Sequence, residues 1–146
     1  GHGFFSADGR LLFASENDFE NDLGVIGIYS VGNAYNRIGE FETKGIGPHQ
    51  ILLKSDKNTI VVANGGIATH PDFPGQKLNL ESMSPSLTYL NVVSGEVTDQ
   101  ALMPKSLQQL SIRHISEAND GSIWFGGQYE GYSKDKVPLV GRHVRS

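Results

Sequence analysis

The sequence predicts an all-β protein made of β-propeller blades, each a four-stranded antiparallel sheet, with about three blades in 146 residues. Three observations lead there. A strand–turn–strand segment recurs three times, at intervals of 47 and 65 residues between its leading histidines. No window carries a sustained 3.6-residue apolar period with a cap, so α-helices are not expected. Eighteen glycines and a hydrophobic share of 38% fit a turn-rich β-protein with a real core.

The three segments are "HGFFSADGRLLFASEN" from His2, "HQILLKSDKNTIVVAN" from His49 and "HISEANDGSIWFGGQ" from His114. From histidine to turn aspartate (Asp8, Asp56, Asp120) the distances are 6, 7 and 6 residues. From histidine to closing amide (Asn17, Asn64, Gln128) they are 15, 15 and 14. Each reads as a strand, an aspartate-centred tight turn and a second strand. Third strands are expected in "GVIGIYSV", "SLTYLNVVSG" and "PLVGRHV", and weaker fourth strands in "YNRIGEFET" and "VTDQALMP". This divides a single domain, residues 1–146, into blades at about 1–44, 45–108 and 109–146. A β-sandwich also has short strands with frequent turns, but it gives no reason for a recurring offset from histidine to amide.

The offset predicts a functional face. The first strand of a blade is innermost and antiparallel to the second, so the start of one lies beside the end of the other. His2, His49 and His114 are therefore expected to ring the mouth of a central channel, with Asn17, Asn64 and Gln128 as an adjacent set. The loops between second and third strands emerge on that face and are long, whereas the aspartate turns opposite are minimal; long loops over a rigid scaffold usually carry binding. Imidazoles converging on an axis suit copper, zinc or iron, which makes a transition metal the candidate cofactor, with Glu16 as a further oxygen ligand. Two arguments oppose it. Each imidazole can instead bond a neighbouring blade's backbone, and histidines spread over three blades are expected to stand far apart for one ion. His70, in the proline-stiffened loop "ATHPDFPG", is a candidate lid residue. Arg113 beside His114 and Arg142 beside His143 would make a pocket cationic and suited to carboxylate or phosphate, unless each pairs with a nearby acid.

Other chemistries are excluded or weak. Zero cysteines remove disulfides, zinc-thiolate sites and thiol catalysis. A net charge of −4 argues against a nucleic-acid partner or an anionic lipid surface, and no apolar run approaches membrane-spanning length. "ENDFEND" lacks the spacing and glycine of a calcium loop. The paired glycines of "VANGGIA" and "FGGQ" precede no helix that could offer its N-terminus to phosphate.

"PHQILLKSDKNTIVVAN" resembles the repeat of YVTN-type propellers, which include lactonase-like and nitrous-oxide-reductase-like seven-bladed proteins. More specifically, "GHGFFSADGRLLFASEND", "GVIGIY", "IGEF", "GIGPH", "VANGGIATHP", "LNLESMSPSL", "LSIRH" and "PLVG" resemble the bacterial family DUF1513 across the chain. The resemblance implies a seven-bladed propeller of which this chain holds about three blades, exported to the periplasm and often encoded near iron-regulated imelysin-like proteins. No signal peptide stands in this chain, and the resemblance carries over no catalytic residue. The expected function is a binding or scaffold propeller, its ligand a small molecule or protein at the loop face, with a link to iron acquisition. The alternative is a metal-assisted hydrolase or redox enzyme of the lactonase-like type. Because about three blades cannot close a ring, the chain is also expected to self-associate or to meet further blades.

Overall fold

Eleven strands form three antiparallel sheets in the computed structural model, which describes residues 1–145. The first sheet runs β1 (Gly3–Phe5), β2 (Leu11–Asp18), β3 (Leu23–Ser30), β4 (Asn36–Glu42). The second runs β5 (Pro48–Leu53), β6 (Thr59–Asn64), β7 (Ser86–Asn91), β8 (Val97–Leu102). The third holds three strands, β9 (Leu110–Glu117), β10 (Ile123–Tyr129) and β11 (Val140–His143). Each sheet is an up-and-down meander in chain order, the pattern of propeller blades. No α-helix occurs among the described residues, only three short 3-10 turns.

The three hairpin turns share one local chemistry. Asp8, Asp56 and Asp120 each accept a hydrogen bond from the backbone N–H two residues on, at Arg10, Asn58 and Ser122, over 2.8–2.9 Å. The residue after each aspartate is left-handed, at φ 72° for Gly9, 61° for Lys57 and 83° for Gly121. Its N–H donates to the carbonyl three residues back, closing the turn.

Strand alternation packs the blades. Strand β6 is buried on both faces. Its Ile60 and Val62 join Phe13, Ile26, Ile51 and Leu90 in a core against the first blade. Its Val61 and Ala63 join Leu87, Tyr89, Ile112 and Ile123 in a core against the third. A period of two thus lets one strand serve two interfaces. The innermost strands lie side by side, β5 touching both β1 and β9, which brings the three leading histidines to neighbouring strands.

Candidate metal centre

His2 precedes β1, His49 is the second residue of β5, and His114 lies midway along β9. Two register shifts place the last two. Between the pairs Pro48–Asn64 and Ile51–Val62, β5 spends one residue more than β6. Between Ile112–Gly127 and His114–Gly126, Arg113 has no partner on β10. These are β-bulges, which re-aim side chains near functional sites. The third-blade bulge reverses the parity of β9, so Ile112 and Ile115, three residues apart, both enter the core.

The outcome is a compact cluster. The rings of His2 and His49 have centroids 4.8 Å apart, His49 and His114 5.0 Å, and His2 and His114 5.5 Å. One nitrogen from each lies within 4.8 Å of the other two. The expectation that three blades hold their histidines too far apart for one ion is therefore corrected: adjacent inner strands converge closely enough. His49 Nδ1 stands 3.1 Å from the carbonyl of the bulged Arg113. A carbonyl only accepts, so that nitrogen carries the proton and Nε2 keeps its lone pair for a ligand. A ring N–H fixed on a backbone carbonyl is the usual outer support of a metal-binding histidine. Burial pushes the His49 pKa below its ordinary value, the Arg113 carbonyl opposes this, and the Arg113 charge adds to the lowering. His49 is thereby held neutral, the form that binds metal.

Ser15 locks the backbone beneath. Its Oγ donates to the His49 carbonyl at 2.8 Å and accepts the His2 N–H at 3.1 Å, fixing the first and second blades together at the cluster. Across the second gap, Gln50 Oε1 accepts the Ile115 N–H at 2.9 Å. Sequence reasoning missed both residues, and a polar side chain inside an apolar strand segment was their only signal.

The amides do not form a second ring; in the second and third blades the bulges change which residues meet, and in the first Asn17 lies two residues beyond Ser15, which sits beside His2. Asn64 is fully buried, donating to the Thr43 carbonyl, Ser86 Oγ and Thr88 Oγ1 at 3.0–3.1 Å; it braces β6 against β7 and the first blade. Gln128 pairs with Ser111 rather than His114 and donates to Glu130 at 2.9 Å, although it lines the cleft beside the histidines. Asn17 is exposed at the far end of β2. Glu16 is no oxygen ligand for the cluster: it accepts hydrogen bonds from Tyr29 Oη and from Arg37 at 2.9 Å, on the face opposite Ser15. Alternation along β2 dictates this.

The long loop 65–85 crosses the same end of the blades. Asn79 closes its neck by accepting the Ala68 N–H and donating to the Gly66 carbonyl. His70 packs edge-on to Phe19 of the first blade, its centroid 5.8 Å away, and its Nδ1 accepts the Asp72 N–H. Lys77 bonds Glu130 of the third blade at 2.8 Å. The loop is a strap from blade to blade, and His70 takes no part in the three-histidine cluster. Arg142 pairs with Asp120 at 2.6 Å, and His143 Nδ1 lies 2.7 Å from Tyr89 Oη, both away from the cluster.

A family profile described as "Protein of unknown function (DUF1513)" matches residues 1–146. No curated protein matches the chain. Among solved structures, the chain is similar to hydrazine synthase of Kuenenia stuttgartiensis at 18% identity and a TM-score of 0.63, over 92% of this chain and 32% of that one. The chain thus spans about a third of that relative's length. It is also similar to the β-propeller domain of the Trilobed protease from Pyrococcus furiosus, at 8% identity and a TM-score of 0.49, over 98% of this chain and 42% of the other. At 18% identity the likeness to hydrazine synthase bears on the fold alone, and the meander sheets described above are those of β-propeller blades.

Proposed function

We propose a function from the premise that the chain belongs to the DUF1513 family: it is a binding propeller that holds one transition-metal ion on His2, His49 and His114. The observation that carries this reading is the convergence of three imidazole nitrogens within 4.8 Å. A tetrahedral ion with bonds of about 2.0–2.1 Å needs its nitrogens about 3.3 Å apart, so the rings need to close by at most about 1.5 Å. His2 and His114 are exposed and free to rotate, whereas His49 is set by its bond to the Arg113 carbonyl. Three neutral imidazoles suit zinc, copper, nickel, cobalt or ferrous iron, and they leave a coordination position open.

Binding is favoured over the hydrolase alternative because the carboxylate best placed in sequence to serve as a base, Glu16, is engaged by Arg37 and Tyr29. A periplasmic setting linked to iron acquisition belongs to the same proposal and rests on family resemblance. Metal analysis of protein purified without a histidine tag tests the reading. One ion per chain in the wild type, and none in His49→Ala, is the expected result. Equal metal content in both proteins would show that the ion sits elsewhere.

A further inference from the structure

We infer that the open position at the three-histidine centre takes a small carboxylate anion, clamped against it by Arg113; this rests on the metal reading above. Arg113 is the bulged residue of β9, and its position serves two purposes. Its carbonyl accepts the His49 ring N–H, and the residue lines the same cleft as His49 and His114. That cleft has a volume of about 450 Å³, enough for a small organic anion and its water. Gly126 forms part of the wall, and a Cβ there would meet nothing within 4 Å, so the space beside His114 is open.

The guanidinium has unused capacity. Its Nε donates to Ser111 Oγ at 3.0 Å, which fixes the plane of the group. Among the described residues no hydrogen bond engages its terminal nitrogens and no carboxylate lies within 4.0 Å of it. The other two arginines of this blade are already engaged, Arg142 by Asp120 and Arg145 by Asp99, and the nearby Glu130 is engaged by Lys77. A divalent ion on three neutral ligands keeps its full charge, so metal and guanidinium present two positive groups to one small cleft. A carboxylate meets both, with one oxygen on the ion and bonds from the guanidinium fork to its oxygens. A lysine at this position would supply charge without that fork.

The test uses cobalt(II)-loaded, untagged protein titrated with acetate and followed by the visible bands of the metal. The expected result is a saturable spectral shift in the wild type. In Arg113→Gln, which keeps the backbone carbonyl that orients His49, cobalt should still load, and acetate affinity should be weaker by about tenfold or more, the loss of a charged hydrogen-bonding partner. Arg113→Lys should recover only part of that affinity. A wild-type spectrum indifferent to acetate, with cobalt bound, overturns the anion site and leaves the metal reading intact. Equal acetate affinity in wild type and Arg113→Gln removes Arg113 from the site. A protein that takes up no cobalt overturns both readings.

Discussion

At the scale of single residues, His49 joins all the strands of the argument. It alone among the three histidines is half-buried, tied to the next blade's backbone and held below its ordinary pKa. Replacing it with alanine removes an oriented ligand. We expect zinc affinity to fall by more than the about 10–100-fold typical of losing an outer support, with competition against a chromophoric chelator as the measurement. The turn aspartates give a second prediction. The Asp120 carboxylate is brought down from 3.8 to about 2 by the Ser122 hydroxyl and N–H and by Arg142. A carboxyl that is more acidic folded than unfolded contributes stability above about pH 4, and this is lost as pH falls toward 2. Urea midpoints should drop over that window and drop less in Asp120→Asn. Should the variant follow the wild type throughout, the turn carboxylate does not govern acid sensitivity. The histidines and turn aspartates were legible in the sequence because each recurs at a fixed offset. The roles of Asn64 and Glu16 were not, since an offset counts residues along the chain and cannot see a bulge or a strand face.

At the scale of elements, β6 and β9 decide the arrangement. Ile60 is fully buried in the core between the first and second blades, so Ile60→Ala should cost about 2–5 kcal/mol in equilibrium unfolding. A cost under about 1 kcal/mol would mean that this interface is loose. The β9 bulge predicts a sharper contrast. Deleting Arg113 would restore regular pairing with Ile112 and Ile115 two residues apart and both still in the core, but it would remove the carbonyl that holds the His49 ring. Deletion should keep cooperative unfolding but weaken zinc binding, whereas Arg113→Ala, which keeps the carbonyl, should retain zinc and shift stability by no more than about 1 kcal/mol. If both variants bind zinc alike, the bulge does not position His49. The strands themselves were readable from alternation and turns. The bulges were not, because one extra residue leaves no mark in composition, and their effect appears only when both strands are paired. The loop 65–85 was legible as long and stiff, but its partners Phe19, Gln109 and Glu130 come from blades on either side.

At the scale of the molecule, two interfaces join three blades, and the two outer faces differ. The first blade presents Glu16, Tyr29 and Arg37 in an ionic network, and the third presents Trp124, 46% exposed, beneath Arg142. Three blades do not close a ring, so the 146-residue chain should sediment as a dimer or larger, or bind further blades. A monomer at high concentration would mean that these faces tolerate water. Blade architecture was visible in the sequence through repetition, while the closeness of the three histidines required the packing of neighbouring inner strands. X-ray absorption at the zinc edge of zinc-loaded, untagged protein reads that closeness. Three imidazole nitrogens at about 2.0–2.1 Å are expected, with the imidazole scattering pattern lost in His49→Ala. A shell made only of oxygen ligands, or a wild-type spectrum that His49→Ala leaves unchanged, would contradict it.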